Sequence, residues 1–127
     1  MKASIIVAML PPLLVLVLSA CGGLSEAQQH YNVGVSLQDQ EKWNAAIAEY
    51  DEAIRLDPKY ALAYNNRGFA YINLGQHQRA IQDLDEAIRL DPKLALADKN
   101  RGFAYANLGQ NQRAIQDLDE AIRLDPK

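Results

Sequence analysis

Pro58, Pro92 and Pro126 stand 34 residues apart, each inside the same stretch: Glu52-Ala53-Ile54-Arg55-Leu56-Asp57-Pro58-Lys59 recurs as Glu86 to Lys93 and as Glu120 to Lys127. A fixed period of this size marks a solenoid, in which each copy is one supersecondary unit that must stack on its neighbour to bury an apolar face. With Ala27, Ala61 and Ala95 as first residues, the units are 27–60, 61–94 and 95–127. Residues 61–93 and 95–127 differ at only four positions, Tyr64/Asp98, Asn65/Lys99, Ile72/Ala106 and His77/Asn111. So few differences point to recent duplication, with the surface rather than the core expected to vary.

Within each unit the apolar spacing predicts two helices separated by a turn. In the second unit Ala63, Ala70, Tyr71 and Leu74 precede Gly75-Gln76, and Ala80, Ile81, Leu84, Ala87, Ile88 and Leu90 then form one helical stripe. Gly75 and Gly109 suit the residue that ends a helix. Asp91-Pro92 stops the second helix, because the residue before a proline avoids helical backbone, and Pro92 is expected to open the next helix. Asp51/Arg55, Asp85/Arg89 and Asp119/Arg123 have the i, i+4 spacing of solvated ion pairs, each adding roughly 0.2–0.5 kcal/mol. The fold class expected is all-α, an α-solenoid of three helix-turn-helix units preceded by an N-terminal signal or anchor segment.

That N-terminal segment has a different character. Lys2 is its only charge, and Ala3 to Ala20 is apolar apart from Ser4, Ser19 and the Pro11-Pro12 pair. An apolar run of about 18 residues also meets the threshold for a membrane helix. Pro11-Pro12 would break such a helix, and the basic start, apolar middle and small-residue end follow the plan of a secretory signal. Leu18-Ser19-Ala20-Cys21 resembles the lipobox of bacterial lipoprotein precursors, and Cys21 is the only cysteine in the chain. The resemblance implies a signal peptide over residues 1–20 and a Cys21 acylated on its sulfur and on its new amine. It also implies a cell-envelope location, and Gly22 in place of an aspartate favours the outer membrane facing the periplasm where there are two membranes. An uncleaved anchor helix and a conventional secretory signal are the alternatives. Buried acyl chains contribute about 0.8 kcal/mol per CH₂, so two or more hold firmly. Residues 21–26 then form the lipidated cysteine and a short tether, reaching roughly 17 Å when extended.

From residue 27 to residue 127 the chain resembles the tetratricopeptide repeat family. Gly34, Gly68 and Gly102 occupy the small position of the first helix, Ala46, Ala80 and Ala114 that of the second, and Ala53, Ala87 and Ala121 the contact between units. Large core positions hold Leu37, Tyr71 and Tyr105, then Tyr50, Leu84 and Leu118. His30 and Asp98 stand where an aromatic is usual, Arg67 and Arg101 replace a common leucine, and Glu41 replaces the turn glycine, which implies a looser first turn and frayed terminal units.

The resemblance implies a concave groove lined by the first helices. Its candidate lining is Tyr31, Asn32, Val35 and Gln38 in the first unit, then Leu62, Asn65, Asn66, Phe69, Ile72 and Asn73 in the second. The third unit adds Leu96, Lys99, Asn100, Phe103 and Asn107. Asn32, Asn66 and Asn100 recur at one site, and side-chain amides both donate and accept. They suit the backbone of an extended peptide, with Phe69 and Phe103 giving apolar contact; the competing reading is local capping, repeated because the unit was copied. The family's carboxylate clamp needs basic groove residues, whereas the corresponding places hold Tyr31, Val35, Leu96 and Asn100, and only Asn66 matches.

Other functions find little support. Past Cys21 there is no Cys or Thr, and Ser25 and Ser36 are the only serines, so a nucleophile with a base and an orienting acid is hard to assemble. His30 and His77 lie singly in different units, and the acids Asp83, Asp85 and Glu86, repeated as Asp117, Asp119 and Glu120, are expected to spread around a solvated face. No catalytic residue, metal site or cofactor is expected. The net charge of −3 with no run of Lys or Arg argues against nucleic acid as a partner, and one cysteine permits no intramolecular disulfide. With 49% hydrophobic and 23% charged residues, the 127-residue chain has the makings of one ordinary domain. The function expected is a non-enzymatic adaptor, lipid-anchored in the bacterial envelope, that binds a protein segment in its groove. The alternative is a structural module that self-associates, as a homo-oligomer, through Ile115, Leu118 and Ile122 of an uncapped last unit.

Overall fold

The computed structural model describes residues 22–127, so the expected signal peptide and Cys21 lie outside the described residues. Six helices follow in order: α1 Glu26–Asp39, α2 Trp43–Leu56, α3 Ala61–Asn73, α4 His77–Leu90, α5 Ala95–Asn107 and α6 Asn111–Leu124. There is no strand among the described residues, and none of these helices is long and apolar enough to cross a membrane. The architecture is the expected all-α solenoid, two helices to a unit.

Local chemistry places the helix ends. Ser25 caps α1: its Oγ accepts from the Gln28 N–H at 3.1 Å while Gln28 Oε1 accepts from the Ser25 N–H at 3.2 Å. This reciprocal box, legible in Ser25-Glu26-Ala27-Gln28, is one the sequence reading passed over. Gly75 and Gly109 take φ of 75° after α3 and α5. Glu41 adopts the same left-handed backbone at φ 57°. The first turn is therefore not looser, as expected from the missing glycine. The Glu41 N–H donates to Gln38 O and the Lys42 N–H to Leu37 O, both at 2.9 Å, as the Gly75 and Gln76 N–H groups donate to Ile72 and Tyr71 O. A residue with a side chain tolerates this region at about 1–2 kcal/mol, and closure of the turn offsets that cost. Pro92 also departs from expectation. It lies in the turn between α4 and α5 rather than opening a helix, and Asp91 Oδ1 accepts from the Lys93 N–H at 3.1 Å to shape that turn.

Small residues set the distance between the two helices of a unit. A Cβ on Gly34 would lie 2.5 Å from Tyr50 Cε1, one on Gly68 2.8 Å from Leu84 Cγ, and one on Gly102 3.0 Å from Leu118 Cγ. Side chains from α4 and α5 make the main core, with Ala80, Leu84, Ala87, Ala97 and Ala104 fully enclosed. Each unit then leans on the next through α2 against α3 and α4 against α5. Additionally, α3 touches α1 and α5, whereas α2, α4 and α6 do not touch one another. First helices that converge while second helices splay give a stack curved with α1, α3 and α5 on its inner side.

The four positions that distinguish the second and third units are not all on the surface. Asn65 and Asp98 are buried, while Lys99, Ala106 and Asn111 are exposed. Position in the stack explains three of the differences: a unit lies over Asn65, Ile72 and His77, and none of the described residues lies over their counterparts.

Candidate functional site

The inner wall combines exposed apolar groups with amides. Leu62, Leu96 and Phe103 are 40%, 46% and 44% exposed. Tyr31, Val35, Asn66, Phe69 and Ile72 are half-buried, and Asn32, Asn73, Lys99 and Asn107 are exposed. The Lys99 ammonium lies 5.8 Å from the centre of the Phe103 ring, a cation–π distance. Phe69 packs in a T-shaped arrangement with Trp43, ring centroids 5.9 Å apart, a rim aromatic that sequence reasoning missed because it belongs to a second helix. Asn73 is engaged with its own helix, its Nδ2 donating to Phe69 O at 2.9 Å.

Asn65 and Asn100 are placed behind this wall rather than on it. Both are buried, and they take part in a polar seam that crosses all three units. Asn100 Nδ2 donates to Asn65 Oδ1 at 3.0 Å, and Asn65 Nδ2 donates to Asn66 Oδ1 at 2.9 Å. Asn66 Nδ2 in turn reaches the Tyr31 and Tyr50 hydroxyls at 3.2 and 3.4 Å, and the Tyr50 hydroxyl donates to Gln38 Oε1 at 2.8 Å. Buried amides must be satisfied, and here they satisfy one another. Of the recurring asparagines, only Asn32 is fully open to a ligand.

On the other side of the first helices the charges pair across units. The Arg67 Nε and Nη2 donate to the two oxygens of Asp83 at 2.8 and 2.6 Å, and its Nη1 donates to Asp51 of the preceding unit at 2.8 Å. Arg101 repeats this with Asp117 and Asp85. Asp51 and Asp85 are therefore not partners of Arg55 and Arg89. Those arginines, with Arg123, pair three residues back with Glu52, Glu86 and Glu120. Nor are Asp83 and Asp117 solvated, since both are buried beneath their arginines. Burial opposes the Arg67 charge, but the hydrogen bonds and charge of Asp83, then of Asp51, outweigh it and hold the guanidinium above its ordinary pKa. The 16-residue spacings Asp51–Arg67–Asp83 and Asp85–Arg101–Asp117 were the available signal. Among the described residues no three His, Cys, Asp or Glu side chains converge as a metal site.

Asp98 is the discordant group. It is 3% exposed, and its Oδ2 has no hydrogen-bond partner among the described residues. Burial, the largest cause, pushes its carboxyl above the ordinary range; Arg101 opposes this, and Asp117 and Glu120 reinforce it. A raised folded-state pKa means that the ionised form destabilises the fold, and that this penalty disappears as pH falls and the folded protein takes up the proton. Asp98→Asn is therefore expected to stabilise the protein by about 1 kcal/mol at neutral pH. The gain should shrink on acidification towards about pH 4, the ordinary carboxylate range. Paired thermal melts of the two proteins across that range check it, and a gain that does not change with pH would contradict the assignment.

At the far end, Ile115 and Ile122 are 58% and 62% exposed, and Leu118 is half-buried. Ile47 and Ile81, the equivalents of Ile115 in the first two units, are 9% and 8% exposed, and Ile54 and Ile88, the equivalents of Ile122, are half-buried.

Comparison with known proteins agrees with this geometry. A profile described as TPR repeat matches residues 34–75, and profiles described as Tetratricopeptide repeat match residues 61–94 and 99–127. No curated protein matches the chain. Among solved structures, the Arabidopsis OM64 TPR domain is 32% identical with a TM-score of 0.78, over 80% of this chain and 84% of that one. The second TPR of Spaghetti (RPAP3) bound to HSP90 peptide SRMEEVD is 30% identical with a TM-score of 0.77, over 80% and 94% of the two chains. The first TPR domain of the human RPAP3 protein is 26% identical with a TM-score of 0.78, over 80% of each. With the repeat profiles, the identity to OM64 and the close approach of Gly34, Gly68 and Gly102 to the second helix of each unit in agreement, the chain belongs to the tetratricopeptide repeat family.

Proposed function

We propose that the protein is a non-enzymatic adaptor that holds an extended segment of a partner protein against the inner wall of its stack. The observation that carries this reading is the exposure of Phe103, Leu62 and Leu96 on the wall formed by α3 and α5. Aromatic side chains on a rigid element bind with little entropic loss and dominate recognition energies. Lys99 and Asn32 add a cation and a free amide beside them. Similar domains engage peptides, as in the Spaghetti structure bound to HSP90 peptide. This groove lacks the basic residues of a carboxylate clamp, so its ligand is a segment with apolar side chains rather than an acidic terminus.

The reading extends to location. Cys21 is proposed to carry the lipid, with the partner held close to the membrane because Ser25 already caps α1 and leaves only Gly22 to Leu24 as tether. The support is the Leu18-Ser19-Ala20-Cys21 sequence. A palmitate analogue should label the chain and fail to label Cys21→Ser; equal labelling of both would end the lipid reading.

For the groove, a photo-crosslinking residue at Asn107 should trap a defined partner in cells, while the same residue at Gln82 on the outward α4 should not. Phe103→Ala is expected to lower that yield at least tenfold, since losing an aromatic anchor costs about 2 kcal/mol or more. Equal adducts at both sites, or no response to Phe103→Ala, would rule the groove out as the binding surface.

A further inference from the structure

The polar seam behind the groove decides which atoms of α1 are left to face a ligand. Its hydrogen bonds all point one way: Asn100 donates to Asn65, Asn65 to Asn66, Asn66 to the Tyr50 hydroxyl, and Tyr50 to Gln38 Oε1. A side-chain amide has one acceptor oxygen and an NH₂ with two donor hydrogens. With its oxygen held by Tyr50, Gln38 turns the NH₂ away from the seam. That NH₂ has no acceptor among the described residues, yet it is not enclosed: the side-chain polar atoms both buried and unpartnered there are His77 Nδ1 and Asp98 Oδ2.

Tyr31 ends a branch of the same seam. Its oxygen accepts from Asn66 Nδ2 at 3.2 Å, and its own proton has no acceptor among the described residues. The ring stacks on Tyr60 and leans on Tyr50, with centroids 5.0 and 5.9 Å apart, so the hydroxyl is aimed before a ligand arrives. Residues 31 and 38 are seven apart on α1 and share one helix face, and their polar tips meet around the Tyr50 hydroxyl.

Two donors with no acceptor between them fit a ligand oxygen, and charge selects which kind. Asp39 follows Gln38, has no ion-pair partner among the described residues, and lies close enough to act on the Tyr50 hydroxyl, adding to the larger effect of burial in keeping it protonated. A carboxylate placed there would meet a like charge, whereas a main-chain carbonyl would not. We propose that Tyr31 and Gln38 read the main chain of the bound segment, their donors holding one of its uncharged carbonyl oxygens while Phe69 and Phe103 hold side chains. This rests on the groove being the binding surface. It moves main-chain recognition from the recurring asparagines, of which Asn66 and Asn100 are engaged within the seam, to α1.

Every residue of an extended segment offers a carbonyl, so an uncharged peptide of generic sequence tests the contact. The probe is acetyl-Ser-Leu-Ser-Phe-Ser-Leu-Ser-amide, whose seven residues span about 23 Å, enough to cross three helices set about 10 Å apart. It is titrated into the full 127-residue chain at pH 7.5 and followed by the fluorescence of Trp43, the only tryptophan, which packs on Phe69. Saturable binding is expected, weakened about tenfold or more by Gln38→Glu and about threefold or more by Tyr31→Phe. Gln38→Glu still accepts from Tyr50 but presents an oxygen in place of the NH₂, and Tyr31→Phe keeps the stacked ring; circular dichroism verifies both folds. Peptides with one main-chain amide at a time replaced by an ester, a poorer acceptor, read the contact directly. One position should weaken binding about threefold or more, and that effect should vanish in Gln38→Glu. Binding abolished by Phe103→Ala but unchanged in Gln38→Glu and Tyr31→Phe would overturn this proposal and leave the groove standing. Tighter binding of the same peptide with a free carboxyl terminus, lost in Gln38→Glu, would also overturn it, by identifying a carboxylate as the acceptor. No saturation up to millimolar peptide, or binding indifferent to Phe103→Ala, would overturn both readings.

Discussion

Arg67→Ala is expected to cost about 3–5 kcal/mol of folding free energy, because removing one member of a buried ion pair leaves the other without a counter-charge. The Asp83 side chain is 9% exposed, and among the described residues its two oxygens are held by Arg67 alone. A small domain has a total stability of about 5–15 kcal/mol, so a loss of this size takes much of it. Replacing Arg67 and Asp83 together by leucine should be close to neutral, since a well-packed apolar pair substitutes for a desolvated ionic one. The exposed third partner matters far less: Asp51 is 55% exposed, and Asp51→Asn should cost less than about 1 kcal/mol. Urea unfolding of the variants checks all three, and a cost below 1 kcal/mol for Arg67→Ala would show that Asp83 finds water or another partner once the arginine is gone.

Tyr50→Ala should be comparably damaging, at about 3–5 kcal/mol, as for other fully buried aromatic side chains truncated to alanine. Tyr50 is 0% exposed, and its ring fills the space left by the missing side chain of Gly34 and packs against Tyr31 with centroids 5.9 Å apart. Its hydroxyl joins Gln38 of the first unit to Asn66 of the second. Burial, the largest cause, pushes that hydroxyl up to about 12, so it remains a donor throughout the neutral range. Tyr50→Phe keeps the ring and loses the hydroxyl, and is expected to cost about 1 kcal/mol. In a linear stack each unit is held by its neighbour, so the truncation should release α1 and α2 before the remainder. Hydrogen exchange reads this directly: protection lost over α1 and α2 first is the expected result, and uniform loss across all six helices would contradict it.

Much of the architecture was legible because it is written in short-range, repeated chemistry. The 34-residue period, the apolar stripe from Ala80 to Leu90 and the glycine–alanine positions each act within one turn or one hairpin. Every copy repeats them, so a single sequence carries three readings of the same rule. The exposed Phe103 and Leu96 of the inner wall belonged to the same class.

The polar contacts were of another kind. Asp51 and Arg55 are neighbours on a helix, yet Asp51 bonds Arg67 of the next unit; Asn65 and Asn100 looked like ligand-facing amides, yet they bond each other. Helical spacing brings several partners within reach of each charged or amide group, and only the stacking of one unit on the next decides which partner approaches in a water-poor seam. There a bidentate pair or a shared amide hydrogen bond is worth more than a solvated contact along the same helix. The chain's periodicity by itself determined that paired helices would stack and where their apolar faces lay, while the choice of polar partners waited on the distance and burial that stacking creates.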